Sequence, residues 1–156
     1  MYLQRLERVQ FLPLSIEEAW DFFSSPKNLD VITPEDLSFE IKSDLPEKMY
    51  AGMIIEYRLK LFGFIPQNWV TEITQVEEHR FFIDEQKFGP YSFWHHQHWF
   101  ESVEGGTEMR DILHYRLPFG VLGKMVHTLF IKQQVENIFS HRKKVLNQLF
   151  RQLHPA

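Results

Sequence analysis

The chain has 156 residues, of which 44% are hydrophobic and 24% charged, and these values are typical of one globular domain with a substantial core. The formal net charge of -4, without a wide basic face, argues against nucleic acid as the main partner. Cysteine is absent, which excludes disulfides, thiolate catalysis and cysteine zinc sites. Residues 1–10 lack a signal-peptide core, and no apolar run approaches the roughly 20 residues that span a bilayer. We therefore expect a single cytoplasmic domain, residues 1–156, that does not insert into membranes.

The first part of the chain predicts a strand followed by two short helices. Residues 2–11 form the predicted strand. Ser15 and Glu18 have the spacing of a capping box, in which each side chain satisfies a backbone donor at a helix start, so a helix over residues 16–23 follows. A proline in its favoured first turn begins a second short helix over residues 26–32.

The middle of the chain predicts an antiparallel sheet of about six or seven strands. The clearest strand covers residues 53–61, where apolar residues alternate with Glu56, Arg58 and Lys60, a pattern typical of a sheet with one solvated face. The other strands predicted here are 39–42, 68–76, 80–86, 91–100 and 107–116. The sequence Glu104-Gly105-Gly106 predicts a hairpin turn between the last two.

The last part of the chain changes to a helical period. Apolar residues recur at three- and four-residue steps from about Leu122 to Leu153, which predicts one long amphipathic helix packed on the sheet. Residues 141–144 form a charge run on this helix and indicate a solvated face rather than a basic patch. Arg142 is the exception, because it falls beside the apolar stripe and is expected to snorkel or to pair with a buried carboxylate.

The most informative segment is residues 93–100, whose aromatic composition predicts a strand. Alternate residues of a strand share a face. One face therefore carries Trp94, His96, His98 and Phe100, and the other carries Phe93, His95, Gln97 and Trp99. Two imidazoles between two large apolar side chains are unusual in a core strand and are typical of a ligand pocket with a few polar groups.

The length of the hairpin turn decides which residues meet across the last two strands. With a loop of two or four residues, odd-numbered residues of the second strand share a face with even-numbered residues of the first, and a loop of three or five reverses this parity. The first case places Asp111 opposite His98 or one step diagonal to it, within reach of the imidazole. Met109, Leu113 and Tyr115 then lie on the same face.

The order of elements resembles the helix-grip fold of the START-related, Bet v 1-like (SRPBCC) superfamily, an α+β fold in which a curved antiparallel sheet wraps a long C-terminal helix. Particular stretches are similar to a bacterial polyketide cyclase/dehydrase-type ligand-binding subgroup, sometimes labelled cell division inhibitor. These stretches are Gly89-Pro90-Tyr91, Trp94 to Phe100, Asp111 to Tyr115, and Leu117-Pro118-Phe119-Gly120. The resemblance implies a hydrophobic cavity between sheet and helix that takes a lipid, quinone, polyketide or other apolar molecule, and only some members are enzymes.

Three interpretations of His96, His98 and Asp111 stay open. The first is a buried polar network in which Asp111 satisfies the imidazoles. In the second, the histidines line the pocket and orient an oxygen of the ligand, with Asp111 behind them. In the third, His98 backed by Asp111 is a general acid or base. We expect no metal or other cofactor, although imidazoles at i and i+2 with Asp111 across the hairpin could reach one ion.

Neighbouring strands supply further candidates for the pocket wall. Tyr57 and Trp69 lie on faces that alternate inward, so we predict both in the interior, as core or as ligand contacts. Asp84 and Gln86 would add polar atoms there if they point inward, but the pattern equally allows Glu85 to do so.

These observations predict a carrier or sensor that encloses one small hydrophobic molecule, such as a lipid, a quinone, or a polyketide-like or aromatic compound. The predicted ligand contacts are Tyr57, Trp69, Trp94, His96, His98, Phe100, Asp111 and Tyr115. One alternative is a cyclase/dehydratase-type enzyme with His98 and Asp111 as catalytic acid and base, although the sequence shows no activated nucleophile at a defined spacing. A protein-interaction module related to cell division is the other alternative.

Overall fold

The computed structural model describes residues 3–29, 31–61, 64–118 and 130–153. The strands are β1 (Gln4–Leu12), β2 (Glu40–Ile41), β3 (Met53–Leu61), β4 (Ile65–Glu77), β5 (Phe81–Phe88), β6 (Phe93–Val103) and β7 (Gly106–Arg116). The helices are α1 (Ile16–Phe23) and α2 (Lys132–Leu153). Two 3-10 helices cover Pro26–Leu29 and Glu35–Leu37. The predicted α+β order is therefore confirmed, with the second short helix reduced to one 3-10 turn.

The strands form one curved antiparallel sheet in the order β1-β7-β6-β5-β4-β3-β2. Along the chain β1 comes first, yet it pairs with β7 over its whole length, from Gln4 opposite Tyr115 to Leu12 opposite Thr107. Strands β3 to β7 follow one another as neighbouring hairpins. This arrangement places β5, β6 and β7 side by side near the middle of the sheet, where the candidate site residues lie.

The hairpin between β6 and β7 has a two-residue loop, because Val103 pairs with Gly106. Gly105 in this loop has φ of 80°, a left-handed conformation that glycine adopts without steric cost. The resulting register places His98 directly opposite Asp111. The parity predicted for a two-residue loop is thus confirmed.

Helix α1 begins with the predicted capping box. The Ser15 hydroxyl accepts a hydrogen bond from the Glu18 backbone N–H at 3.2 Å, and the Ser15 N–H donates to the Glu18 carboxylate at 2.9 Å. The helix turns Ala19, Trp20 and Phe23 into the core. It thereby covers one end of the sheet, against Phe100 of β6 and Met109 of β7 among others.

Helix α2 lies on the same face of the sheet. Its buried residues fall into two groups: Leu146 and Phe150 pack in the cluster that contains α1, whereas Val135 and Phe139 pack with residues of β4 and β7. The predicted long helix is confirmed from Lys132 onward, and residues 122–129 lie outside the described residues. Neither α1 nor α2 is long and apolar enough to cross a membrane, and no other described helix is.

Candidate functional site

A cavity of about 200 Å³ lies between the sheet and the helices. Its wall is largely apolar and draws on both helices and on strands β3 to β6; six of its residues are Phe22, Ile55, Trp69, Phe82, Ile138 and Phe139. An apolar cavity of about 150 Å³ is enough to bind benzene, so this one has room for a ring-sized molecule.

One side of the cavity carries ionisable groups. Asp84 of β5, His96 and His98 of β6 and Arg142 of α2 belong to the lining. Asp111 of β7 lies behind the two histidines and is not part of the lining. These five residues are referred to below as the charged cluster. Their side chains are at most 17% exposed, so their charges interact with little screening by water.

The two imidazoles of the charged cluster are held between two carboxylates. His96 Nε2 lies 3.1 Å from Asp111 Oδ1, and His96 Nδ1 lies 3.4 Å from Asp84 Oδ2. His98 Nε2 lies 2.7 Å from Asp84 Oδ2, and His98 Nδ1 lies 3.0 Å from Asp111 Oδ1. The last contact is not directed as a hydrogen bond, so it counts as a close charge contact only. Each imidazole nitrogen therefore has a carboxylate oxygen as its neighbour.

Arg142 connects the charged cluster to helix α2. Its Nη1 donates to Asp111 Oδ1 at 3.2 Å, and its Nη2 lies 3.7 Å from the Met109 sulfur. The guanidinium also lies over the ring of Phe23, 5.3 Å from the centroid, in a cation–π arrangement. The prediction that Arg142 pairs with a buried carboxylate is confirmed.

The pKa values of His96, Asp84 and Asp111 move in the directions that favour the charged forms. Burial disfavours the charged form of His96, but Asp84 and Asp111 outweigh it and raise its pKa to about 9. Burial likewise opposes ionisation of Asp84, yet His96 and His98 hold its pKa below the usual range. For Asp111, burial is outweighed by Arg142 and then by the histidines, which keep its pKa well below the ordinary value.

The structure brings together most, but not all, of the predicted contact residues in the lining. The cavity is lined by Tyr57, Trp69, Trp94, His96 and His98, whereas Phe100, Asp111 and Tyr115 lie outside the lining. Phe100 packs in the core against Trp20 and Phe23, with ring centroids 5.7 Å and 5.4 Å away. Tyr115 packs beside Tyr91 and Trp94.

A buried threonine positions two of the aromatic lining residues. Thr71 of β4 accepts a hydrogen bond from Trp69 Nε1 at 3.0 Å, and its hydroxyl lies 2.9 Å from that of Tyr57. Trp69 also meets Trp94 edge to face, with centroids 5.2 Å apart. These contacts satisfy the polar atoms of the aromatic side chains, so the rings form a fixed wall.

Asp84 is the member of the charged cluster for which the sequence did not decide whether the side chain points inward or outward. The structure points Asp84 inward, where it also accepts a hydrogen bond from Trp94 Nε1 at 3.3 Å. Glu85 points to the other face of the sheet and pairs with His95, Oε1 to Nδ1 at 2.8 Å. Gln86 bonds the backbone of Tyr91, donating at 2.6 Å and accepting at 3.2 Å.

Solved structures of similar shape identify the fold. Zhui aromatase/cyclase from Streptomyces sp. R1128 matches with a TM-score of 0.76 at 11% identity, over 99% of this chain and 98% of that one. A START superfamily protein from Mycobacterium smegmatis matches with a TM-score of 0.64 at 15% identity, over 93% and 98%. Ara h 8.0201, a Bet v 1 allergen, matches with a TM-score of 0.61 at 14% identity, over 94% and 99%. The chain has the SRPBCC fold.

Sequence comparison adds nothing to this likeness, since no family model and no curated protein matches the chain. At such identities the similarity concerns the SRPBCC fold alone. The charged cluster is therefore described from this chain's own residues, on β5, β6, β7 and α2.

Proposed function

We propose that the protein binds one small hydrophobic molecule in the cavity, as a carrier or sensor. The observation that carries this proposal is the composition of the wall, which is apolar on most sides and ionisable on one. Burial of the ligand's apolar surface would supply affinity at roughly 25 cal/mol per Å². The ionisable side would fix its orientation, as a few polar groups do in other ligand pockets.

The lining supports a particular class of ligand. Tyr57, Trp69 and Trp94 form an aromatic wall that suits a ring or an acyl chain of a lipid, quinone or polyketide-like compound. His96 and His98 would meet an oxygen of the ligand at the ionisable side. Phe100, Asp111 and Tyr115 act through the residues in front of them rather than by contact with the ligand.

A cyclase/dehydratase-type enzyme is the second candidate, since one similar structure is named an aromatase/cyclase. Its catalytic pair would be His98 and Asp111. A general base needs a nitrogen within hydrogen-bond reach of the substrate. Here both nitrogens of His98 lie within 3.0 Å of a carboxylate oxygen, so a reaction would first require the cluster to open. Contact of His96 or His98 with an oxygen of a bound ligand would require the same opening, but burial of the ligand's apolar surface in the cavity would not, and for this reason binding is the first candidate. The interaction module related to cell division rests on the resemblance alone.

Native mass spectra of the freshly purified protein, paired with denatured spectra of the same sample, test the proposal. We expect a mass excess that is lost on denaturation. A titration with the apolar dye ANS provides the second test and needs no knowledge of the natural ligand.

A matched pair of variants on α2 distinguishes the cavity from other surfaces. Val135 lines the cavity and Val145 does not, so Val135→Phe should fill the space and abolish ANS binding, whereas Val145→Phe should leave it unchanged. Thermal unfolding of both variants checks that they fold. A folded Val135→Phe protein that binds ANS with the affinity of the original chain would overturn the proposal.

A further inference from the structure

We propose that Asp84, His96 and His98 form a binding site for one divalent transition-metal ion at the ionisable side of the cavity. The three residues offer one carboxylate oxygen and two imidazole nitrogens that all lie within 4.8 Å of one another. This inference does not depend on the identity or presence of a hydrophobic ligand. The metal ligands differ from those considered from the sequence, because Asp84 takes the place of Asp111 beside the two imidazoles.

The ligand atoms already stand at distances close to those of a metal site. Asp84 Oδ2 is 2.7 Å from His98 Nε2 and 3.4 Å from His96 Nδ1. Around a tetrahedral zinc ion, with bonds of about 2.0–2.2 Å, two ligand atoms are separated by roughly 3.3 Å. The distance to His96 fits as it stands, the distance to His98 would have to lengthen by about 0.6 Å, and the two imidazole nitrogens lie within 4.8 Å of each other.

Asp111 lies where a metal-binding histidine needs an outer partner, which is a hydrogen-bond acceptor for the ring nitrogen that does not bind the metal. A histidine that binds a metal through one nitrogen normally donates its other N–H to a carboxylate or carbonyl, which fixes the ring and its tautomer. Asp111 Oδ1 is hydrogen-bonded to His96 Nε2 at 3.1 Å, so it can serve His96 in this way; it lies 3.0 Å from His98 Nδ1 as a close charge contact only. Arg142 in turn holds that carboxylate.

The site opens toward the cavity. All three proposed ligands belong to the lining, while Asp111 is behind them. Three protein ligands leave at least one coordination position, which water or an oxygen of a bound molecule would fill. Two histidines and one carboxylate with open positions are typical of zinc and of non-haem iron, so we commit to a divalent first-row ion.

Titration of the EDTA-treated full chain with Co²⁺ tests the site, since bound Co²⁺ absorbs in the visible range and Zn²⁺ should displace it. We expect one ion per chain. Asp84→Asn and His96→Gln should each weaken binding by more than about 100-fold, and Asp111→Asn by about 10- to 100-fold, as loss of an outer partner does.

The chain offers a control on the opposite face of the same strands. His95 and Glu85 form another imidazole–carboxylate pair, at 2.8 Å, and no third ligand group joins them among the residues that the structure describes, so His95→Gln should bind Co²⁺ like the original chain. Histidine side-chain NMR of the unmodified protein provides a readout that needs no variant: Zn²⁺ should shift the signals of His96 and His98 but not those of His95. Absence of stoichiometric uptake, or uptake that leaves the His96 and His98 signals unmoved, would overturn the proposal.

Discussion

Asp111 of β7 and Arg142 of α2 form a buried ion pair, Oδ1 to Nη1 at 3.2 Å, that joins the middle of the sheet to the C-terminal helix. A second pair between sheet and helix, Arg8 with Glu136, lies at the surface. The two pairs have the same topological role and differ in exposure. Removal of one partner from a buried pair leaves a charge without compensation, whereas exposed pairs are worth about 0–1 kcal/mol.

Arg142→Met should lower the free energy of unfolding by about 3–5 kcal/mol, because Asp111 would remain ionised and buried without its guanidinium. Arg8→Met, the matched control, should lower it by less than about 1 kcal/mol. Urea unfolding of the two variants measures both values. Equal small effects would mean that His96 and His98 alone balance the charge of Asp111.

Gly106→Ala should lower the free energy of unfolding by roughly 2–3 kcal/mol, because a β-carbon at this position would collide with the backbone carbonyl of Leu12 on β1. Gly105→Ala is the comparison: its β-carbon would meet open space apart from the Phe11 ring at 3.9 Å, so only the positive φ costs energy, about 1–2 kcal/mol. Urea unfolding again gives the two values, and the reverse order would contradict the prediction.

Trp94→Ala should weaken ANS binding about tenfold, since a lining ring contributes apolar contact worth on the order of 1.4 kcal/mol. The control is Trp99→Ala, which removes a ring from the outer face, where it packs on Phe81. Fluorescence titration of the two variants measures the affinities. Equal ANS affinities of the two variants would mean that Trp94 does not contact the bound dye.

Raising the pH should destabilise the EDTA-treated protein through His96. The folded protein holds the pKa of His96 at about 9, above the ordinary value of about 6.5. The extra stability is therefore complete below pH 6.5 and is lost as the pH rises through 9, by up to about 3 kcal/mol. At the acid end, Asp84 and Asp111 have lowered pKa values, so their contribution is present above about pH 4 and falls as the pH decreases.

Urea unfolding between pH 6 and 10 measures the slope of the free energy of unfolding against pH. The His96→Gln variant should lose it, and His95→Gln, whose side chain lies on the other face of β6, should keep it. A slope that persists in His96→Gln would assign the proton to another member of the charged cluster.

The sequence was sufficient for the parts of the site that depend on local geometry. Strand alternation placed His96 and His98 on one face of β6. A loop of two or four residues then placed Asp111 opposite His98 or one step diagonal to it, and the structure has the two-residue loop with Asp111 directly opposite. Both inferences depend only on the period of a strand and the number of residues in a loop, which are local quantities. The helix-grip order of elements followed from similarly local patterns.

The inward direction of Asp84 could not be predicted, because β5 begins with three consecutive apolar residues, Phe81, Phe82 and Ile83. Both Phe82 and Ile83 are buried, so alternation does not tell which face is inside. A register shift between Ile73 and Gln75 of β4 also means that the partners of β5 residues on β4 cannot be found by counting residues along the two strands. The carboxylate that pairs with Arg142 could not be predicted either, because it depends on the rotation of α2 about its axis over the sheet.

The charged end of the cavity and most of its apolar wall come from different parts of the chain. The cluster is built on β5, β6, β7 and α2, whereas Ile55, Leu59 and Ile73 of the wall come from β3 and β4. Strand β3 pairs with β2 and β4 and not with the strands that carry the charged cluster, so substitutions at Ile55 and Leu59 can change the size and shape of the cavity without altering the backbone pairing that holds the charged cluster together.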